Sequence, residues 1–112
     1  MRYLVLISLC VLWSIQGYAM AHELQPCPAK PNCVSSLEQG KDSYIEPLSY
    51  AGDAGEAQRR LLEVIRHHPR TAILREEQDF IHATFTSLIF RFVDDVEFVF
   101  DDQRKTIHVR SA

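Results

Sequence analysis

The sequence of 112 residues contains few of the patterns from which phosphate, metal or nucleic-acid sites are usually built. Its four glycines form no run that could cradle a phosphate group. No two histidines have the His-x-x-x-His spacing of a helical metal pair. Lysine and arginine occur singly or in isolated pairs, and the formal net charge is −3, whereas nucleic-acid binding needs clustered cations. We therefore expect no metal, no cofactor and no nucleic-acid partner.

A nucleophile in a recognisable setting is also missing. Ser35 and Ser36 follow Cys33 without the glycines that surround a nucleophilic serine on a strand-to-helix turn. The residues therefore do not predict acyl-transfer chemistry.

The first 21 residues have the pattern of a cleavable signal peptide. Arg2 precedes an uncharged stretch from residue 4 to residue 15, and Ala19-Met20-Ala21 forms a small-x-small exit. The apolar stretch is shorter than the roughly 20 residues of a membrane span. Neither Cys10 nor Cys27 follows a small residue, so we do not expect a lipid anchor. We expect cleavage after about Ala21 and an exported periplasmic or secreted chain with no transmembrane span; retention of the stretch as an anchor is the alternative.

Export determines the interpretation of the cysteines. Cys10 is lost with the signal peptide, which leaves Cys27 and Cys33 in a compartment where thiols usually oxidise. We predict a disulfide between them. The alternatives are free thiols or a metal site, which would need further ligands where only His22 lies near in sequence.

Turn-forming residues and periodicity predict the order of the elements in the rest of the chain. Residues 22–43 contain three prolines and predict an irregular arm. Residues 44–50 predict a short edge strand interrupted by Pro47. Asp53, with Glu56 three residues later as in a capping box, predicts the start of an amphipathic helix that ends at residues 67–69. A strand is then predicted over 71–75, before a polar turn, and another from 80 to about 92, which is rich in β-branched and aromatic residues. Alternating apolar residues predict two more strands over 96–100 and 106–110.

This order predicts an α+β fold. We expect a short edge strand, one amphipathic helix and a three- to four-stranded antiparallel meander, with the helix packed on one face. The regions are then the signal peptide over 1–21, the arm over 22–43 and the α+β domain over 44–112.

Several unusual strings carry a resemblance to a known family. They are Cys27-Pro28, Pro31-Asn32-Cys33-Val34-Ser35-Ser36, Ile45-Glu46-Pro47-Leu48, Phe92-Val93-Asp94-Asp95-Val96-Glu97-Phe98 and Val109-Arg110-Ser111-Ala112. The expected mature chain resembles family 1499 of the domains of unknown function (DUF1499) over nearly all its length, and the resemblance implies no activity. The family pattern continues through a further segment and a final helix, so the resemblance implies that this chain is truncated.

Asp94, Asp95 and Glu97 form the densest acidic cluster. On a strand, Asp95 and Glu97 point to the same face. Carboxylates so placed can bind a hard cation or act as general acid and base, and the resemblance implies that the family retains all three. A turn acid followed by a solvated strand face is the interpretation we favour, because a calcium loop would need several more oxygen ligands at fixed spacing.

Arg110 is predicted to lie beside Glu97 across the sheet. The pair forms either an ordinary exposed ion pair or a clamp for an anion or carboxylate, which arginine binds through two donors. His67 and His68 are adjacent on a helix and point in different directions, so we predict no metal site there.

These residues favour a non-enzymatic binding module for a protein or small ligand. The candidate surface combines the motif of the arm with the polar residues of the last strands, namely Pro28, Asn32, Ser35, Ser36, Asp94, Asp95, Glu97, Arg110 and Ser111. The alternatives are a metal-assisted or acid–base enzyme that uses the acidic cluster, and a structural accessory subunit. A shared concave pocket would favour binding or catalysis.

The predicted absence of the family tail leaves one helix to cover the whole sheet. We therefore expect part of the apolar sheet face to be uncovered, and a homodimer could form through it. The residues of that face are Val96, Phe98, Phe100, Ile107 and Val109.

Overall fold

A computed structural model describes residues 22–112, so the predicted signal peptide and Cys10 lie outside the described residues. The elements are β1 (Val34–Ser35), β2 (Leu48–Ser49), α1 (Ala54–His67), β3 (Thr71–Glu77), β4 (Phe80–Thr86), β5 (Val93–Asp101) and β6 (Thr106–Ser111). One helix packs against an antiparallel sheet, which confirms the predicted α+β fold. Within residues 22–112, no helix is long and apolar enough to cross a membrane.

The strand order in the sheet is β1-β6-β5-β4-β3, and β2 pairs with β6 beyond the end of β1. Strands β3 to β6 form the predicted meander. The arm was predicted to be irregular, but its residues 34–35 form β1, which pairs with residues 110–111 of β6. The arm therefore belongs to the sheet, because β6 has a free edge that this short segment can pair with.

Helix α1 begins where the sequence predicts. The Asp53 side chain accepts a hydrogen bond from the Glu56 amide at 2.9 Å, as an N-cap residue does. The Glu56 carboxylate contacts Arg59 within the helix, so it does not complete the predicted capping box. At the other end, the Thr71 hydroxyl donates to the Ile65 carbonyl at 2.8 Å and ties the helix to the start of β3.

The hydrophobic core lies between α1 and one face of the sheet. Leu62 and Ile65 of the helix are buried over this face, which is lined by Ile81, Ala83, Phe98, Phe100, Ile107 and Val109. The expectation that this face is partly uncovered is wrong for four of its five residues, which are at most 9% exposed. Ile45 and Tyr50 pack against the same cluster, so the segment before the helix covers the part of the sheet that α1 does not reach.

Strand β4 was predicted to continue to about residue 92, but it ends at Thr86. The register pairs Thr86 with Val93, which leaves residues 87–92 as the connection of the β4–β5 hairpin. The Ser87 amide donates to the Phe92 carbonyl at 2.9 Å, and the Phe92 amide donates to the Ser87 hydroxyl at 3.0 Å. No glycine or proline marks this turn, and its apolar composition is that of a strand, so the sequence pattern did not reveal it.

Candidate functional site

Strand alternation divides the predicted polar residues between the two faces of the sheet. Asp94 shares the helix side with Val96, because alternate residues of β5 point the same way. Ser111 pairs with Val96 and lies on that side too. The structure brings Asp95, Glu97 and Arg110 together on the opposite face, here called the helix-free face, and separates Asp94 and Ser111 from them.

A polar row crosses the helix-free face from one edge of the sheet to the other. The register pairs Arg75 with His82, His82 with Glu97, Glu97 with Arg110, and Arg110 with Ser35. The row therefore joins five strands, and it includes the predicted neighbours Glu97 and Arg110. Ser35, one of the motif residues that carry the family resemblance, lies at the end of the row and is 1% exposed.

Glu97 and Arg110 form a half-buried pair in which the arginine keeps unused N–H donors. Arg110 Nη1 lies 3.6 Å from Glu97 Oε1, and the side chains are 15% and 25% exposed for the arginine and the glutamate. Arg110 Nε is buried and donates to no acceptor in the described part of the chain. An unsatisfied buried donor costs about 1–3 kcal/mol, and such groups in native proteins call for an explanation.

His82 and Asp95 form a second polar pair on this face, which the sequence pattern did not predict. His82 Nε2 lies 2.8 Å from Asp95 Oδ1, and the aspartate side chain is about half exposed. Asp95 pairs in register with Thr84, so this contact is diagonal and could not be read from the alternation pattern alone. Asp95 is therefore a second carboxylate near Glu97 on this face, and its side chain faces solvent.

Ser36 and His108 are also brought together, although 72 positions separate them in the sequence. Ser36 Oγ accepts from the Val109 amide at 2.9 Å and lies 3.1 Å from His108 Nδ1, to which its hydroxyl can donate. Ser36 is only 3% exposed, so a substrate cannot reach its oxygen. This serine joins the arm to β6 and is not placed as a nucleophile.

The predicted disulfide between Cys27 and Cys33 is confirmed, with Cα atoms 5.6 Å apart. Glu38 reinforces the same loop, because its Oε1 accepts from the Cys27 amide at 2.8 Å and its Oε2 lies 2.9 Å from Lys41 Nζ. The Lys41 ammonium, and next the Cys27 amide, hold the pKa of the Glu38 carboxyl below its ordinary value. The remaining motif residues of the arm, Pro28 and Asn32, are exposed on the disulfide loop.

The helix-free face also contains a cleft of about 810 Å³. Leu24, Leu37 and Val99 supply apolar walls, and His22 and His108 supply polar ones. Glu23 and the charged turn over 101–104 also line the cleft. Leu24 is 8% exposed and fixes the start of the arm against the sheet. The sequence pattern did not reveal this cleft, because residues 22–24 and 37 belong to the segment that was predicted to be irregular.

His22 forms one end of the cleft by folding back on the sheet. Its ring stacks on Phe80 with centroids 4.0 Å apart, and its Nε2 lies 2.6 Å from Glu77 Oε2. The cleft and the polar row adjoin, because Val99 follows Glu97 by two residues on β5 and His108 precedes Arg110 by two on β6. The disulfide loop borders a different hollow, which Pro28 helps to line.

In the described range 22–112, no three His, Cys, Asp or Glu side chains lie close enough together to hold a metal ion. Asp94 and Asp95 point to opposite faces, so the predicted cluster does not converge on one point. Weak or absent cation binding stays a prediction for titration calorimetry.

Comparison with known proteins confirms the resemblance expected from the sequence motifs. A family model described as "Protein of unknown function (DUF1499)" matches residues 23–112. No curated protein and no solved structure matches the chain.

Proposed function

The chain belongs to the DUF1499 family, and from that premise we propose that it is an exported, non-enzymatic binding module whose ligand surface is the helix-free face. The ligand class that fits this face is an extended peptide with an apolar side chain. The observation that carries the proposal is the cleft beside a half-buried arginine whose guanidinium makes no hydrogen bond within residues 22–112.

The unused donor of Arg110 supports binding of an acceptor group. Its guanidinium is planar and directional, and the contact with Glu97 at 3.6 Å is longer than a hydrogen bond. Nε itself is buried, so a ligand carbonyl would accept a hydrogen bond from Nη1, which lies too far from Glu97 to donate to it. The binding free energy would then come partly from a group that the fold already holds in position.

The charges on the face favour a neutral amide over a free anion. Asp95 and Glu97 lie on the same side as Arg110, so a carboxylate approaching the arginine would meet two like charges. A peptide backbone has a carbonyl for Arg110 and N–H groups for the two carboxylates. For this reason we favour a peptide over the anion clamp that the sequence alone left open.

The cleft supplies the apolar part of the site. Leu37 is 54% exposed at its edge, and Val99 forms part of its lining. A few placed polar groups beside an apolar cleft are typical of ligand sites. A peptide that crosses the polar row could place one aliphatic or aromatic side chain in this cleft.

The enzymatic alternative from the sequence is less well supported. It would use Asp94, Asp95 and Glu97 together, yet Asp94 lies on the helix side of the sheet. Ser36 contacts His108 but is buried. A binding role needs neither a base–nucleophile pair nor convergence of the three acids.

The proposed compartment is the periplasm or the exterior, as the signal pattern predicts. The disulfide supports it, because such bonds persist mainly outside the cytoplasm. Cleavage after Ala21 would leave every described contact of His22 in place. Cell fractionation with an intact mass is the test: we expect an exported chain that starts near His22, and a cytoplasmic chain that keeps residues 1–21 would contradict export.

Selection from a random peptide library on the purified protein tests the ligand class. We expect binders that share an aliphatic or aromatic residue. Leu37→Lys should weaken them about tenfold or more, because it places an ammonium group at the cleft. Leu74→Lys is the matched control: Leu74 is also 54% exposed but lies in β3, outside the cleft.

Arg110→Gln should weaken the same peptides, and its circular dichroism spectrum shows whether it folds. The proposal fails if the library yields no binders, or if the selected peptides bind Leu37→Lys as tightly as they bind Leu74→Lys.

A further inference from the structure

Five of the nine exposed large apolar side chains within residues 22–112 lie at the loop of the β4–β5 hairpin. Residues 88–93 are here called the apolar tip. Its large apolar side chains are Leu88, Ile89, Phe90, Phe92 and Val93, and each is between 57% and 80% exposed. Single exposed apolar residues are ordinary, but a contiguous group marks a site of contact with a protein or a membrane.

The tip is held in its exposed position by bonds within the hairpin. Ser87 and Phe92 exchange two hydrogen bonds at the base of the loop, at 2.9 and 3.0 Å. The rings of Phe90 and Phe92 stack with centroids 5.8 Å apart. The loop therefore presents these side chains away from the core.

Two arginines accompany the apolar side chains. Arg91 lies within the tip, between Phe90 and Phe92. Arg70 lies beside its base, where its Nε donates to the Thr86 carbonyl at 3.1 Å. Neither arginine has an ion-pair partner in the described part of the chain.

Two histidines lie at the same end of the molecule. His67 and His68 end α1, two or three residues before Arg70, and the His68 ring contacts Phe85 of β4. The acids closest in sequence are Asp94 and Asp95, which follow the tip on β5, and Asp95 is paired with His82. Residues 87–93 themselves contain no acid.

We propose that the apolar tip inserts into the surface of a lipid bilayer that carries anionic headgroups. A convex loop with apolar side chains and interspersed arginines suits this partner, because acyl chains accept the former and lipid phosphates pair with the latter. Long arginine side chains can keep their charge at headgroup level while the neighbouring residues go deeper. The charge complementarity is local, since the chain as a whole has a formal net charge of −3.

This interaction is separate from peptide binding at the helix-free face. The tip lies at one end of the sheet and belongs to neither the cleft nor the polar row. A tip seated in a membrane would leave that face open to a ligand. Either proposal can therefore fail without the other.

Tryptophan fluorescence tests the insertion in the full chain. The sequence contains a single tryptophan, Trp13, so Trp13→Phe with Phe90→Trp places the only tryptophan at the tip. The probe is a vesicle of phosphatidylcholine and phosphatidylglycerol that contains brominated acyl chains. We expect a blue shift and quenching of the emission, because bromine quenches only fluorophores that reach the acyl region.

The matched control is Trp13→Phe with Gln103→Trp. Gln103 follows the opposite end of β5, roughly 27 Å from the tip at the usual rise per strand residue. Its emission should stay unchanged if the tip inserts. Residues 1–21 join the domain at His22, which lines the same cleft as Gln103, so quenching at this position with none at Phe90→Trp would indicate attachment through that segment and overturn the proposal. This reporter therefore separates insertion of the tip from attachment through another segment.

Two further variants of the tip reporter separate the apolar and the charged contributions. Ile89→Ser with Phe92→Ser should lower partitioning about tenfold or more. Arg91→Gln should lower partitioning into anionic vesicles and leave partitioning into pure phosphatidylcholine unchanged.

Absence of quenching at Phe90→Trp overturns the proposal. So does a blue shift that grows with protein concentration without vesicles, because the tip would then be buried against a second copy of the chain.

Discussion

At the scale of single residues, the N-terminal arm depends on one disulfide and one carboxylate. Cys33 is 2% exposed, and the Cys27 amide is bound by Glu38. Both interactions close the same short loop, and the next residues of the chain form β1. The positions of Ser35 and Ser36 on the helix-free face therefore depend on how well this loop is fixed.

Glu38 predicts a pH dependence of stability. Its folded-state pKa is lowered from 4.5, first by Lys41 and then by the Cys27 amide. A lowered pKa means that the charged form stabilises the fold above the unfolded-state pKa, and that this contribution is lost as the pH falls through the folded-state value. Wild type should therefore be more stable than Glu38→Gln at neutral pH, and the difference should vanish in acid.

Urea unfolding midpoints between pH 7 and pH 2 measure this difference. Glu46→Gln is the control, since Glu46 is exposed and makes no hydrogen bond or ion pair within the described residues. A Glu38→Gln difference that is the same at every pH would contradict the explanation.

The disulfide predicts a measurable loss of stability when it is removed. For a loop of this length the chain-entropy estimate is about 2 kcal/mol. The double variant Cys27→Ala with Cys33→Ala should lower the free energy of unfolding by about that amount. Intact mass before and after reduction and alkylation gives the oxidation state, and two free thiols in protein from the exported fraction would show that the bond does not form in the cell.

At the scale of elements, β6 is the strand on which the candidate site depends. It pairs with β5 along its length and with the two short strands β1 and β2 on its other edge. Without them β6 would be an open edge, which proteins generally protect. The edge pairing also places the arm beside Arg110.

Ser36 provides the clearest test of this attachment. Ser36→Ala leaves the buried Val109 amide without its side-chain acceptor and removes the contact with His108. We expect a loss of about 1–3 kcal/mol in the free energy of unfolding. Ser49→Ala is the control, because Ser49 lies in β2 on the same edge but is exposed, and equal losses in the two variants would contradict the role of the Ser36 hydroxyl.

Local patterns in the sequence predicted much of the fold. Asp53 predicted the start of α1, and the alternation in β5 and β6 predicted that Glu97 and Arg110 would be neighbours. The sequence could not reveal β1, because a two-residue strand has no periodicity. It also could not reveal the turn at Ser87, because that turn depends on a side-chain hydrogen bond and not on glycine or proline.

At the scale of the whole molecule, the two faces of the sheet differ in kind. One is buried beneath α1 and the segment with Ile45 and Tyr50. The other carries the polar row and the cleft, and the apolar tip projects from the end of the hairpin. The fold thus keeps its core separate from the surfaces proposed to bind a peptide and a membrane.

Only part of the candidate site could be predicted. The motif strings identified Asp95, Glu97 and Arg110, which lie together, but they also included Asp94, which β-strand alternation places on the other face. His22, Leu37 and His108 were missed as site residues, because the cleft forms from segments that are distant in sequence. The alternation of β5 could have separated Asp94 from Asp95, but the cleft required the tertiary structure.

The central claim is that the helix-free face is the ligand surface. The most direct test is an amide NMR spectrum of the ¹⁵N-labelled protein, recorded with and without a peptide from the library selection. We expect the largest shifts on Val99, His108 and Arg110, including the Arg110 Nε–H signal. Shifts confined to α1, to the disulfide loop or to the apolar tip, with these three residues unchanged, would contradict it.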